Sequence, residues 1–338
     1  MTLAELGWND HFAAAYEPWR SRAHVAPGRV AIEFNQIFRI YADAREIDAV
    51  TAGSVKHRAR GRAELPAVGD WVAVRRRPEE DRGVILGVLP RRSAFTRRAA
   101  GEPTGEQVVA ANVDVVFVVM GLDRDYNLRR LERYLVMARE SGAEPAIVLN
   151  KSDLCTDLSA HLNEVTALAG DVVVHVVNAK AGDGLDRLRR HLDAGRTAAL
   201  LGSSGVGKST IINRLAGADI RRTQEVRAAD SRGRHTTTHR ELVVLPDGGL
   251  ISDTPGMREL RLWDAADAVR ETFDEIEARA PECYFSDCRH RDEPRCAVKA
   301  AVADGRISAG RLDSYLKVRT ELADLARQQE DRARRSKR

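Results

Sequence analysis

The stretch GSSGVGKS at 202–209 lies between an apolar run, Ala198–Leu201, and the helical pattern STIINRL. A phosphate-cradling loop needs that placement. A strand delivers the chain, glycines let successive backbone N–H groups turn inward, and the following helix presents the positive end of its dipole. Gly202, Gly207, Lys208 and Ser209 hold the fixed positions of G-x-x-x-x-G-K-[ST], with Ser203, Ser204, Gly205 and Val206 between them and Thr210 just after. Lys208 is expected to neutralise the β- and γ-phosphates and the Ser209 hydroxyl to bind Mg²⁺. The motif commits this part of the chain to a parallel sheet covered by helices, and it arrives only after 201 other residues.

What precedes and follows the loop fixes the wiring. VLNKSDL at 148–154 reads as an N-K-x-D box made of Asn150, Lys151, Ser152 and Asp153. Its aspartate accepts two hydrogen bonds from the guanine N1–H and 2-amino group. Adenine offers neither, so it would leave a buried carboxylate unpaired. Asn150 and Lys151 are expected to support the base and tie this loop to the phosphate loop. VNAK at 177–180 places the Ala179 N–H to meet guanine O6, with Asn178 where serine is usual. Downstream, LISDTPGMREL supplies Asp253 at a strand end to hold Mg²⁺ and the Gly256 N–H to sense the γ-phosphate. The hydroxyl-rich RGRHTTTHRE lies between, as a loop able to close over a nucleotide. The usual order of such motifs starts at the phosphate loop and ends at the base-reading boxes. Here the cyclic order is kept and only the cut has moved, as a circular permutation of one closed fold produces.

The surrounding texture agrees. From 109, strand-like runs (VDVVFVVM, EPAIVLN, DVVVHVVN, TAALLG) alternate with helical ones (NLRRLERYLVMARESG, LSAHLNEVTALAG, LDRLRRHL), which argues for a doubly covered parallel sheet. Residues 29–98 read instead as short strands between turn signals, the size of an OB-like barrel. Past about 265 the strand signal stops. The boundaries expected are 1–27 for an N-terminal extension, 28–108 for the barrel, 109–265 for the permuted domain and 266–338 for the remainder with a basic C-terminal helix.

CYFSDCRHRDEPRC places Cys283, Cys288, His290 and Cys296 within 14 residues. Three thiolates and an imidazole suit one tetrahedral Zn²⁺, and four protein ligands leave no open position, so the site should be structural. Cys155 stands apart and reads as an ordinary core residue. Arginine runs (KHRARGR, RRR, RRSAFTRR, RARRSKR) in a chain of net charge +4 suggest an anionic partner. The longest apolar runs are strand-sized, and the N-terminus lacks a basic start followed by an apolar stretch. No membrane span or secretory signal is expected, and the cytoplasm is the expected location.

With the barrel, the rotated NKSD…GSSGVGKS…GRHTTT…DTPG and the Cys/His cluster together, nearly the whole chain resembles the circularly permuted bacterial ribosome small subunit-dependent GTPase A family. The resemblance implies that 28–108 is an OB-fold RNA-binding domain, 109–265 an α/β P-loop GTPase domain in circularly permuted order and 266–338 a small, mostly helical zinc-binding domain. It implies a cytoplasmic GTPase that binds the small (30S) ribosomal subunit and its rRNA and hydrolyses GTP to GDP late in subunit maturation, stimulated by the subunit; a monomer is expected. Met257 occupies the place where many GTPases carry a water-orienting glutamine. The resemblance moves that role to His235 and the Mg²⁺-binding switch role to Thr237, with His239 the rival for the water. The alternative function is an RNA-binding assembly module in which GTP acts as a structural switch with incidental turnover.

Overall fold

The computed structural model describes residues 1–77, 80–98, 106–217, 240–254 and 265–336. They divide into two compact units, 1–126 with 141–260, and 127–140 with 261–338.

The first unit begins with α1 (Asp10–Arg20), capped by the Asn9 side chain, which accepts from the N–H groups of His11 and Phe12. Its Phe12 and Tyr16, with Leu6 before it, bury into the core of the barrel that follows. The N-terminal extension therefore packs against the barrel and supplies part of its core. Trp8 and Phe12 stand against the fully buried Trp71 at ring-centroid distances of 4.8 and 5.7 Å.

The barrel is made of β1 (Val25–Phe34), β2 (Ile37–Ala42), β3 (Arg45–Thr51), a short α2 (Gly53–Arg58), β4 (Trp71–Arg77) and β5 (Glu80–Val88). β1 pairs antiparallel with β2 and β4, β2 with β3, and β4 with β5, while β3 and β5 run parallel and close the ring. A two-stranded ribbon follows, β6 (Ala94–Arg98) with β7 (Glu106–Ala111).

The α/β sheet contains β8 (Val115–Gly121), which leads into α3 (Leu128–Glu140), then β9 (Glu144–Asn150), α4 (Leu158–Ala169), β10 (Val174–Val176), α5 (Leu185–Arg189), β11 (Thr197–Leu201), α6 (Lys208–Ala216), β12 (Arg240–Val244) and β13 (Leu250–Asp253). The strand order is β10-β9-β8-β11-β13-β12. All neighbours are parallel except β12 with β13. Buried on both faces, β8 and β11 are apolar throughout apart from Thr197 and Gly121, as parallel central strands require. The chain enters the sheet at β8, works outward to β10, then crosses back to β11 on the other side of β8. The direction of winding reverses between β8 and β11, and such a crevice at the carboxyl ends of the strands is where open α/β sheets bind ligands.

Barrel and sheet are hydrogen-bonded to one another. The first half of β1 pairs with β4, and Ile32 and Glu33 near its end pair with Glu241 and Arg240 of β12. A register shift against β2 between Val30 and Ile32 bends the strand from one sheet to the other. Arg29 completes the joint. Fully buried, its guanidinium donates to the carbonyls of Leu6, Gly69 (3.2 Å) and Asn112 (3.0 Å) and to the Thr197 hydroxyl (2.8 Å). One side chain thus ties the N-terminal segment, the barrel, the linker and β11. Burial pushes its pKa down to about 10 against the pull of Asp114 and Asp70.

The second unit gathers α3 with α7 (Ala266–Thr272), α8 (Asp274–Glu277), α9 (Ala297–Ala303) and α10 (Ala309–Ser336). Although α3 lies between two strands of the sheet in sequence, its polar side chains find partners in this unit. Glu132 accepts from Arg311 at 2.9 Å, Arg129 pairs with Asp313 at 2.8 Å and Arg133 with Glu321 at 2.9 Å. Arg311 also binds Glu275 and the Thr272 carbonyl (2.5 Å), so one guanidinium links four of the helices' ends and faces. Among the described residues no helix is long and apolar enough to cross a membrane.

Candidate functional site

The carboxyl edge of the parallel strands collects the described residues of the expected nucleotide site. β11 releases the phosphate loop at Gly202, and α6 starts at Lys208. Gly202 and Gly207 both have positive φ (158° and 101°). A Cβ on Gly207 would overlap the Asn150 Nδ2, so the close approach of two loops, as well as the turn, requires glycine there. Val206 is fully buried in the α/β core and pins the loop from behind. Lys208 Nζ donates to the carbonyls of Gly202 (2.7 Å) and Ser203 (2.6 Å), which holds its ammonium over the loop. Ser209 and Thr210 form the first turn of α6.

β9 ends on Asn150, which is 3% exposed and spans two other loops. Its Nδ2 donates to the Val206 carbonyl of the phosphate loop at 2.7 Å, and its Oδ1 accepts from the Ala179 N–H at 3.0 Å. The N-K-S-D, N-A-K and phosphate loops therefore abut, across separations of 29 and 56 residues in sequence. After Asn150 the chain turns through Lys151, left-handed at φ 64°, into a 3-10 turn at Ser152–Leu154 that leaves Asp153 exposed. The Ala179 N–H, expected to face the base, is engaged by Asn150, so a base contact from it would share this donor. Asn178 accepts from the N–H groups of Lys180 and Ala181, both at 3.1 Å, and so shapes the loop in place of the usual serine.

Asp253 ends β13. Burial raises its carboxyl above the ordinary value, and nearby Lys208 opposes the rise. The next residue, Thr254, anchors the strand end to β7 through its hydroxyl on the Val109 carbonyl at 3.3 Å. Gly256, Met257, His235, Thr237 and His239 lie outside the described residues.

Two residues at the site belong to no motif. Asp123 pairs with Lys151 at 2.6 Å, and Asp125 accepts from the Ser203 hydroxyl at 2.7 Å. Their signal in sequence is their place: acids two and four residues beyond the end of a buried parallel strand, Gly121. Cys155, expected in the core, is instead half-buried, with its Sγ 3.7 Å from His161 Nδ1.

In the second unit, Cys283, Cys288, His290 and Cys296 bring their ligand atoms within 4.8 Å of one another. Cys283 Sγ lies 3.8 Å from Cys296 Sγ and 3.6 Å from His290 Nδ1, which in turn is 3.4 Å from Cys296 Sγ. The turn is tight enough to place His290 in the left-handed region (φ 60°), and Cys296 also caps α9 by accepting from the Lys299 N–H. This is a group that can hold a metal ion.

A family model described as RsgA GTPase matches residues 88–263. The chain is 51% identical over 336 residues to the small ribosomal subunit biogenesis GTPase RsgA of Opitutus terrae, covering 97% of this chain and 91% of that one. The chain belongs to the RsgA GTPase family. The RsgA of Syntrophotalea carbinolica is 45% identical, with 98% and 92% of the two chains covered. Among solved structures, YjeQ from Thermotoga maritima superposes with a TM-score of 0.65 at 28% identity, over 88% of this chain and 99% of that one. YloQ, described as a circularly permuted GTPase, shares the fold with a TM-score of 0.62 at 24% identity, over 90% and 97%. The motif order along this chain, N-K-S-D before the phosphate loop before D-T-P-G, matches a circularly permuted fold of the kind YloQ is described as having.

Proposed function

We propose that this chain is a GTP phosphohydrolase that binds the small ribosomal subunit and hydrolyses GTP late in that subunit's maturation, with the subunit stimulating the reaction. The observation that carries the reading is the bridge made by Asn150. It joins a guanine-selecting box to a phosphate loop at 2.7 Å, so the two can grip the ends of one nucleotide. Relatives over nearly the full chain are named as GTPases of small-subunit biogenesis, which supports the partner.

In this reading Asp153 selects guanine, Asn150, Lys151 and Ser152 shape the base pocket with Ala179, and Gly202–Thr210 cradle the phosphates. Ser209, Asp253 and Thr237 would hold Mg²⁺. The hydroxyl of Ser209 and the carboxylate of Asp253 are the hard oxygen donors this ion prefers. When bound, Mg²⁺ neutralises charge on the β- and γ-phosphates. Gly256 reports the γ-phosphate, and His235 orients the attacking water.

The Cys/His group takes one structural Zn²⁺. A tetrahedron with Zn–S of about 2.3 Å and Zn–N of about 2.0–2.1 Å has edges of roughly 3.5–3.8 Å. The three separations among Cys283, His290 and Cys296 run from 3.4 to 3.8 Å. The protein acts in the cytoplasm as a monomer, with rRNA met by the barrel and the basic tail and no membrane involved.

GTP hydrolysis measured on the full chain alone, with small subunits and with large subunits tests the proposal. A rate raised by small subunits alone is expected. Equal rates in all three would overturn the partner, and no turnover in any would overturn the activity.

A further inference from the structure

The loop that leaves β8, Gly121–Asn127, belongs to no motif, yet it presents one carboxylate to the N-K-S-D loop and one to the phosphate loop. Asp123 Oδ2 lies 2.6 Å from Lys151 Nζ, and the Asp125 carboxylate accepts from the Ser203 hydroxyl at 2.7 Å. The loop is braced from within, since the Asp125 N–H donates to Asp123 Oδ1 and the Tyr126 N–H to the Asp123 carbonyl, both at 3.0 Å. It is braced from outside as well, because the Leu122 N–H donates to the Asn150 carbonyl at 2.8 Å. The Lys151 hydrogen bond also holds the Asp123 carboxyl below its ordinary pKa.

Lys151 is thereby fixed at both ends. Its backbone sits in the left-handed region, uncommon for a residue with a long side chain, and its ammonium is pinned. A free lysine stem carries rotamer entropy that a ligand would have to remove on binding. A pinned stem has lost most of it already.

We propose that Asp123 is a positioning residue for the nucleotide: by pinning the Lys151 ammonium it lays the aliphatic stem along one wall of the base pocket. This inference rests on the reading of 150–153 as the base box. It divides the labour within that box, Asp153 choosing guanine and Asp123, acting through Lys151, raising affinity for any purine without choosing among them. An apolar stem against a ring face has no means of sensing the 2-amino group, whereas a carboxylate at the ring edge does.

The experiment is titration of GDP and of inosine diphosphate, which lacks the 2-amino group, into the full chain and its Asp123→Asn, Lys151→Met and doubly substituted forms. Loss of the carboxylate charge from this hydrogen bond, which an amide oxygen can still accept in neutral form, is expected to weaken both nucleotides by the same factor, about tenfold in Asp123→Asn. The ratio of the two affinities stays at its wild-type value, and the double variant binds no more weakly than Lys151→Met. A merely structural role would instead lower the melting midpoint of the nucleotide-free protein and add to the effect of Lys151→Met.

Asp123→Asn binding GDP within about twofold of wild type, a changed ratio or additive losses would each overturn the inference while leaving the base box standing. Wild-type protein that fails to bind GDP would overturn the base box and this inference with it. If Asp123→Asn does not fold, Lys151→Met decides alone, since it must weaken the two nucleotides equally.

Discussion

The metal group and the nucleotide site are assembled in opposite ways. All four candidate metal ligands come from 14 consecutive residues, in a turn whose geometry follows from its own sequence. The nucleotide site draws on the ends of β8, β9, β11 and β13 and on the loop after β10, and Asn150 alone bridges 29 and 56 residues. A local site is closed by its own turn, where the Tyr284 N–H donates to the Arg295 carbonyl at 3.3 Å and Glu293 accepts from the Arg289 and Arg291 N–H groups, and a bound ion would add to those contacts. A distributed site depends on the sheet, which is formed whether or not anything is bound.

The largest effect expected from that difference is at the metal. Withdrawing the zinc proposed for Cys283, Cys288, His290 and Cys296 by chelation removes binding free energy on the order of 10 kcal/mol from the second unit, and replacing Cys296 by serine weakens that binding. The expected result is loss of stoichiometric zinc by elemental analysis together with loss of helical ellipticity, while GDP still binds. A chelated sample that keeps its ellipticity would show that the turn does not need its ion and would erase the contrast.

Next comes Asn150→Ala. It orphans the Val206 carbonyl and the Ala179 N–H, two groups at a buried position, each worth about 1–3 kcal/mol. GDP affinity should fall by roughly thirtyfold or more, read by calorimetric titration. The sheet should survive, with far-ultraviolet circular dichroism unchanged.

The smallest effect concerns pH and belongs to the sheet itself. His175 and His191 share a hydrogen bond between their Nε2 atoms at 2.8 Å beside Phe117. Burial lowers the pKa of both below 6.5, helped at His175 by His191, Arg187 and Arg190 and at His191 by Arg196, with Glu144 opposing. The neutral pair is the stable one. Its contribution is therefore fully present above about pH 6.5 and is lost as the pH falls through the lower folded-state values. Denaturant midpoints should decline below pH 6.5 in wild type and decline less in His175→Gln. A parallel decline in the two would remove the pair from the account.

Much of the candidate site was legible because its chemistry is written in short stretches. A phosphate loop needs its glycines and lysine at fixed offsets, a guanine box needs its aspartate, and the metal turn needs four ligands in one run. Asp123 and Asp125 were not legible. A lone acid after a strand is ordinary until the strand's neighbours are known, and both earn their place only through Lys151 and Ser203 on other strands. The Ala179 N–H was assigned to the base by its motif, and only the packing of Asn150 against it shows the competing partner.

The sequence by itself determined the strands and helices around the motifs, the rotated order of those motifs and the ligands of the metal turn, because each is set by periodicity or by spacing along the chain. Only the tertiary structure decided that β1 runs from barrel into sheet through β12, that Arg29 ties four segments together, and that α3 pairs its charges with the C-terminal helices. Those outcomes rest on hydrogen bonds and ion pairs between residues from 23 to 207 positions apart. Such partners are fixed by three-dimensional packing, which pattern along a chain does not encode.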